Sequence, residues 1–317
     1  MDYADYADCV VIIPCYNEEK SIVNTVDQVK KSLPKAKIIV IDNASTDETS
    51  NLAEQSEAVV LYESRKGKGY AVRQAFQYIH NLDYKVALMI DGDATYSIQN
   101  FEEAYELITV KNSDMVVGTR VVDSEIEEGR SDPYRKFHST GNLILTKLNK
   151  ILFGIEISDT LSGWRAFSPN FVRSFSGGLS AFEIESELNI HAFVLSCPIS
   201  NIDVSYVGRL HGSESKLNTV SDGIRILRRQ LRLFRSERPL VAFSLLGIPW
   251  FILSFTLVTN VILEFLQTKL VPNFPSLIAG VAAFIVSALL WTTGMILENV
   301  RLGRVQETFF QYRNIPH

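Results

Sequence analysis

The residues able to do chemistry in this chain are carboxylates and cations set at the ends of apolar runs. Asp91-Gly92-Asp93 follows the run Val86-Ala87-Leu88-Met89-Ile90. Two carboxylates two residues apart, on a turn leaving a buried strand, can face one hard cation. Mg²⁺ and Mn²⁺ favour such carboxylates in combination with substrate phosphates. Asp-Gly-Asp is also a common turn, and its place after a buried strand is what raises it above one. Tyr16, Asn17, Glu18 and Glu19 follow a first apolar run, and Asp42, Asn43 and Asp47 follow a second. Asp47 equally suits a cap on a helix over Thr46–Glu54, and Glu18 and Glu19 suit a helix N-terminus. Lys66-Gly67-Lys68-Gly69 is a flexible cationic stretch whose backbone N–H groups can approach a phosphate, although such a run is more often a plain turn. Arg73, one turn further on, adds charge to that region.

The elements that must position these groups follow from the pattern. Val10–Pro14, Lys37–Ile41, Val59–Tyr62, Val86–Ile90 and Met115–Val117 read as strands. Lys20–Leu33, Thr46–Glu54, Gly69–Ile79 and Ile98–Ile108 carry helical spacing. Alternation of this length predicts an α/β fold with a mainly parallel, doubly wound sheet. In such sheets ligands bind beyond the carboxyl ends of the strands, which is where the acidic groups fall. Acidic residues at three strand ends are harder to explain as capping than any one of them alone.

The 317 residues are 46% hydrophobic and 21% charged, which excludes a disordered chain. Cys9, Cys15 and Cys197 are odd in number and far apart, so neither a disulfide framework nor a Cys-x-x-Cys metal site is expected. The net charge of -5 hides an asymmetry, -11 over residues 1–223 and +6 over residues 224–317. The basic part is also apolar. Leu240–Leu263 and Leu270–Leu297 lack Asp, Glu, Lys and Arg, and each run is long enough to cross a bilayer as a helix. Pro249 would kink the first, which membrane helices tolerate. Arg225, Arg228, Arg229, Arg232, Arg235 and Arg238 precede the pair, Arg301, Arg304 and Arg313 follow it, and Lys269 with Glu264 lies near the connection. The positive-inside rule then predicts both termini in the cytoplasm. The acidic start, Met1 to Asp8, lacks the apolar stretch of a signal peptide. The expected division is a cytosolic domain over 1–223, a basic amphipathic helix over 224–238, two spans over 239–299 and a tail over 300–317. The six arginines mostly share one helical face, as in a segment lying against anionic headgroups, and a plain solvated helix is the other reading. No nucleic-acid partner is expected for an otherwise acidic chain.

Four stretches together resemble the family 2 inverting glycosyltransferases. These are Val11-Ile12-Ile13-Pro14-Cys15-Tyr16-Asn17-Glu18-Glu19, Val40-Ile41-Asp42-Asn43-Ala44-Ser45-Thr46-Asp47, Lys66-Gly67-Lys68-Gly69 and Asp91-Gly92-Asp93. With Gly118-Thr119-Arg120 the resemblance covers most of residues 10–210. The two spans make it similar to the polyprenyl-phosphate branch: the bacterial two-span glucosyltransferases, with dolichol-phosphate mannose synthase as kin. The chain departs from the family at Asn43-Ala44, where many members have Asp-Gly, and at Thr95, where the mannose synthases have a metal-site Gln.

The resemblance implies a GT-A-type, Rossmann-like sheet with a C-terminal transmembrane hairpin in the cell's inner membrane, and a homo-oligomer. It implies a nucleotide sugar, UDP-glucose favoured, as donor, a polyprenyl phosphate as acceptor, and Mg²⁺ or Mn²⁺ as cofactor. Pro14, Tyr16, Asn17, Glu18 and Asp42 would surround the nucleoside. Lys68, Gly69, Arg73, Asp91 and Gly92 would face the diphosphate, with Asp91 and Asp93 on the metal. Arg120, Arg135 and Arg209, with Ser139, match positions around the acceptor phosphate. In Asp159-Thr160-Leu161-Ser162-Gly163-Trp164-Arg165, Asp159 is the expected base or acceptor-orienting acid, ordered by Arg165. Glu183 and Glu185 compete for that role, or share a strand face and pair with arginines. His138, His191 and His211 have no ligand-like spacing. Other readings are transfer of mannose or another hexose, a processive polysaccharide synthase, a soluble nucleotidyltransferase, and a non-catalytic nucleotide- or lipid-binding scaffold. The first of these keeps the site; the synthase lacks its Gln-x-x-Arg-Trp-type motif, and the two spans disfavour the nucleotidyltransferase. The scaffold disagrees with intact Asp91 and Asp93.

Overall fold

The computed structural model describes residues 6–122, 157–175, 184–207, 231–232, 234–271 and 273–313. Its first half alternates as the hydrophobic pattern requires: β1 (Cys9–Cys15), α1 (Ile22–Ser32), β2 (Lys37–Asp42), α2 (Thr49–Gln55), β3 (Val59–Tyr62), α3 (Lys68–Ile79) and β4 (Val86–Met89). Then come α4 (Phe101–Thr109), β5 (Met115–Val122), β6 (Arg165–Phe167), α5 (Pro169–Ser174), α6 (Ile184–Val194) and β7 (Ile199–Tyr206). Two long helices follow, α7 (Pro239–Thr268) and α8 (Phe274–Arg313).

The strands form one seven-stranded sheet in the order β3-β2-β1-β4-β6-β5-β7. β1 pairs parallel with β2 and β4, β2 with β3, and β5 with β7; β6 runs antiparallel between β4 and β5. All seven residues of β1 are buried, as expected for a parallel strand covered on both faces. α1 turns Ile22, Thr25, Val26 and Val29 inward, and α3 turns Ala71, Val72, Ala75, Phe76 and Ile79 inward. This spacing of three and four places one apolar stripe on each helix. With β1, β2 and β4 side by side, their carboxyl ends share one edge of the sheet. Three helices start later than their patterns suggest: α1 at Ile22 and α2 at Thr49, where the loops before them are tied to each other by hydrogen bonds, and α4 at Phe101.

The chain divides into two compact units, residues 1–223 with 308–317, and residues 224–307. In the second, α7 and α8 each contain a window of mean hydropathy 2.1, of which only 17% is buried. Helices this apolar and this exposed are not the core of a soluble bundle, and both are long enough to cross a membrane. They touch through small residues. Ser287 Oγ donates to the Gly247 carbonyl at 3.1 Å, and a Cβ at Gly247 would lie 2.8 Å from Trp291 Nε1. Gly280 is crowded in the same way by Val258. Close backbone approach through small residues is the usual way apolar helices associate in lipid. Pro249 lies inside α7, and Lys269, at φ 59°, ends that helix in the left-handed conformation.

His191, on α6, is buried between the rings of Phe171 and Phe175, with Nε2 2.9 Å from Ser174 Oγ. Burial pushes its pKa down to about 4. The unfolded chain therefore binds a proton near pH 6.5 that the folded chain refuses until about pH 4. His191 contributes no penalty above pH 6.5, and stability falls as pH drops below it. The expected loss by pH 5 is roughly 2 kcal/mol in denaturant titrations of the full chain in detergent, and it should vanish in His191→Phe.

Candidate active site

Each strand end is tied to its neighbour before it meets any ligand. After β1, Asn17 N–H donates to Ser45 Oγ at 3.0 Å, and Asn17 Oδ1 accepts from Thr46 N–H at 2.8 Å. After β2, Asp42 Oδ1 accepts from Ser45 N–H at 3.0 Å. Glu18 N–H donates to Thr49 Oγ1 at 2.8 Å, and Glu19 N–H to Asp47 Oδ2 at 3.2 Å. Asp47 Oδ1 also takes the N–H and hydroxyl of Thr49, so it serves the first turn of α2 in the capping role its type allows, from one residue before the N-cap position. Asn17, Ala44 and Ala94 all adopt left-handed φ values of 54–57°, one beyond each of β1, β2 and β4. Such conformations cost about 1 kcal/mol or more for residues with a Cβ and gather at functional sites. Ala44 thus keeps the backbone that Gly would have adopted freely.

Asn43 fastens the cationic loop. Its Nδ2 donates to the Arg65 and Glu63 carbonyls at 2.7 and 3.3 Å, and its Oδ1 accepts from Gly67 N–H at 2.6 Å. Only an amide supplies donors and an acceptor together, so Asn at this position ties the loop from both sides. Gly67 has φ 135°, out of reach of most residues with a side chain. Lys66 Nζ donates to the Tyr16 hydroxyl at 3.3 Å and stands over its ring.

A cleft of about 380 Å³ opens between these loops, lined by Pro14, Tyr16, Glu18, Lys66, Lys68 and Asp91 among others, and Asp93 reaches it from below. Asp91 is held by three neighbours. Gly92 lies so close to Cys15 that a Cβ there would overlap Sγ. Gly163 abuts the Asp91 carboxylate, where a Cβ would overlap Oδ2. Lys68 Nζ donates to Asp91 Oδ1 at 2.5 Å and to Glu185 Oε1 at 2.7 Å. Asp93 is buried, and its Oδ1 accepts from the Thr95 hydroxyl at 2.6 Å. Thr95 therefore braces Asp93. Among the described residues no group of three His, Cys, Asp or Glu side chains is placed to hold a metal. Two carboxylates at a cleft still fit Mg²⁺ or Mn²⁺, which bind through one or two carboxylates and fill their remaining positions with water and substrate phosphate.

The Asp159 segment precedes Gly163 in the chain. Arg120 grips Asp159 with one edge of its guanidinium, Nε to Oδ2 at 2.6 Å and Nη2 to Oδ1 at 2.9 Å. Desolvation opposes the Arg120 charge, but the Tyr96 and Tyr206 hydroxyls and Asp159 hold its pKa above the ordinary arginine value. Arg165 acts on the Asp159 segment through that segment's backbone, and the Asp159 charge is among those that favour its cation. It is fully buried and donates to the carbonyls of Ser162 and Thr160 and to Asn189 Oδ1, fixing the turn after Asp159. Burial pulls its pKa down to about 10, so it stays charged near neutrality. Glu185 is not on a strand either: it opens α6, where a carboxylate suits the helix N-terminus, and pairs with a lysine. Arg73, on α3, pairs with Glu187 and is committed to α6.

The structure thus brings together Pro14, Tyr16, Glu18, Lys68, Asp91, Gly92 and Asp93 on one cleft, with Asn17 in the loop after β1, Asp42 at the end of β2 and Gly69 at the start of α3. Arg135, Ser139, Arg209 and Glu183 lie outside the described residues, as do most of the basic stretch before the spans and the expectations for His138 and His211. Sequence reasoning missed Tyr96, whose hydroxyl accepts from Gly163 N–H at 2.9 Å, and Tyr206, whose ring packs against Tyr96 and under Arg120. Tyr96 was findable, three residues after Asp93; Tyr206 ends a strand too polar to stand out.

Known proteins resemble this chain in sequence and in fold. The sequence profile described as glycosyl transferase family 2 matches residues 10–174, just over half of the chain. The glycosyltransferase AglJ of Haloferax volcanii is 29% identical over 237 residues, 75% of each chain. The undecaprenyl-phosphate mannosyltransferase of Micrococcus luteus is 25% identical over 220 residues, 66% of this chain and 87% of that one. Among solved structures, the glucosyl-3-phosphoglycerate synthase of Mycobacterium tuberculosis, in complex with Mn²⁺ and UDP-glucose, superposes with a TM-score of 0.51. That likeness spans 71% of this chain and 78% of that one at 20% identity, and it establishes a shared GT-A-type fold. The strand-end loops, the Asp-Gly-Asp turn and the profile match lead to one assignment: the chain is a member of glycosyl transferase family 2.

Proposed function

We propose that this protein transfers a hexose, glucose from UDP-glucose first among the candidates, with inversion onto a polyprenyl phosphate at a membrane surface. The observation that carries this reading is the cleft itself, where Lys68 pairs with Asp91 and Lys66 and Asp93 line the same space. A site with both signs of charge suits a diphosphate brought in with a divalent cation. The ligands of the Mycobacterium tuberculosis structure, Mn²⁺ and UDP-glucose, support the donor and the metal. The undecaprenyl-phosphate acceptor of the Micrococcus luteus relative supports the lipid. The same relative supports the second reading, in which mannose replaces glucose.

The residues would divide the work as follows. Tyr16 offers a ring face to the nucleobase and Glu18 an acceptor for a ribose hydroxyl. Lys66 and Lys68 face the diphosphate. Asp91 and Asp93 would hold Mg²⁺ or Mn²⁺, which when bound neutralises the charge developing on the leaving diphosphate. A phosphate monoester has its second pKa near 6, so the acceptor is largely dianionic at neutral pH and has little need of a base. Its need is to be held against an anionic donor. The outer edge of Arg120, Nη1 with the second hydrogen of Nη2, supplies the planar fork for that, and Asp159, which takes Nε and Nη2, orients it. Asp159 is thus a positioning residue, and the general-base alternative recedes. α7 and α8 would anchor the enzyme, and the flanking arginines would keep its catalytic domain on the cytoplasmic side.

Full-length protein in detergent with Mn²⁺ or Mg²⁺, UDP-glucose and undecaprenyl phosphate should form a chloroform-extractable sugar lipid, and Asp91→Ala should abolish it. If no nucleotide sugar in a panel that includes GDP-mannose gives such a product, the transferase reading is wrong. The role of Asp159 has its own signature. Asp159→Asn should raise KM for the lipid phosphate about tenfold, some 1.4 kcal/mol, while the acidic limb of the kcat–pH profile stays in place. A base role would instead depress kcat and remove that limb.

A further inference from the structure

Lys68 stands between two carboxylates that have different prospects. Its Nζ is 2.5 Å from Asp91 Oδ1 and 2.7 Å from Glu185 Oε1. Asp91 belongs to the Asp-Gly-Asp turn and faces the cleft; Glu185 belongs to the first turn of α6. That turn is anchored independently, because Arg73 on α3 pairs with Glu187 two residues further along. α3 and α6 are therefore joined by two ion pairs, of which only one involves the cleft. Burial works against the Lys68 ammonium, but Asp91 and Glu185 more than offset it and hold its pKa above the ordinary lysine value. The lysine is a permanent cation on a carboxylate that a divalent ion would also use.

We infer that Lys68 is a built-in counter-cation for Asp91, which an incoming divalent ion displaces and Glu185 retains. This rests on reading Asp91 as a metal ligand. A dication and an ammonium on one carboxylate repel one another, so Lys68 opposes loading of the metal by itself. Released from Asp91, the ammonium does not leave the site; it stays on Glu185 beside the space for the diphosphate. The negative charge of the nucleotide then reconciles both cations. The site so built favours metal and nucleotide together over metal alone. Glu185 is, on this reading, a positioning residue for Lys68 and not a base.

The test is a double-mutant cycle on the full chain in detergent, following free Mn²⁺ by its paramagnetic resonance signal, first with Mn²⁺ alone and then with UDP. Lys68→Met should raise affinity for Mn²⁺ alone about tenfold and weaken UDP binding in the presence of Mn²⁺. Glu185→Gln should lower affinity for Mn²⁺ alone, because the lysine keeps only Asp91. In the Lys68→Met background the same Glu185→Gln change should have little effect, whereas a general loss of negative charge would act equally in both backgrounds. If Lys68→Met does not fold, Glu185→Gln is compared with the Lys68→Met/Glu185→Gln double variant, which should bind Mn²⁺ alone at least tenfold more tightly; equal affinity of the two overturns the inference. Additive effects, or a Lys68→Met that binds Mn²⁺ no better than wild type, overturn the inference while leaving Asp91 as a ligand. Absence of Mn²⁺ binding by wild type even with UDP would remove the metal reading and this inference with it.

Discussion

The site depends on how tightly one carboxylate is confined. Asp91 leaves β4 into a space bounded by Gly163 on one side and, through Gly92, by Cys15 of β1 on another. Lys68 closes the third. Neither glycine could carry a larger group: a single methyl at Gly163 would overlap the carboxylate, and one at Gly92 would overlap the Cys15 sulfur. Gly163 is itself held by the Tyr96 hydroxyl, and the turn it belongs to is held by the buried guanidinium of Arg165. The residue proposed to meet both a cation and a diphosphate is thereby fixed by backbone packing, with little freedom left to its own torsions. Preorganisation of this kind lets charge stabilisation act without rearrangement during the reaction.

The rest of the cleft follows from the topology. Parallel strands β1, β2 and β4 must deliver their carboxyl ends to one edge, and the loops leaving them carry Glu18, Asp42 and Asp91 there together. Loops of like charge brought close would repel. They are knitted instead by backbone N–H groups donated to Ser45, Asn17, Asp47 and Asp42, and left-handed backbone at Asn17, Ala44 and Ala94 allows the turns to fit. The cations that balance them come from α3 and the loop before it, where Asn43 sets the register. Arg120 and Asp159 form a separate charge-balanced pair.

Much of this is legible in the residues themselves. The β-rich runs and helical stripes mark the first five strands within a few residues, and the position of Asp91 and Asp93 after Val86–Ile90 marks the site. The apolar runs from Leu240 and Leu270 mark both long helices. What escapes such a reading is long-range or polar. β6 is three residues long and holds a buried arginine, and β7 alternates Ile, Ser, Asn, Ile, Asp, Val, Ser and Tyr, so neither reads as a core strand. The partners of Lys68 and Arg73 lie 117 and 114 residues away, on a helix whose first turn resembles a strand face. Arg165 resembles a partner for Asp159 because it is near in sequence, but its fork is spent on carbonyls and an amide. Spacing along the chain reveals which groups share an edge, and not which of them are already paired.

The central claim is that Asp91 touches the metal–diphosphate unit and that Gly163 places it there. The most direct measurement is the relaxation of the UDP phosphorus nuclei induced by Mn²⁺ on the full chain, compared between wild type and Gly163→Ala. The account predicts strong enhancement in wild type and its loss in the variant, which keeps its far-ultraviolet circular dichroism, because the added methyl displaces the Asp91 carboxylate. Equal enhancement in both proteins would contradict it, and would mean that the cation and the phosphates are held elsewhere.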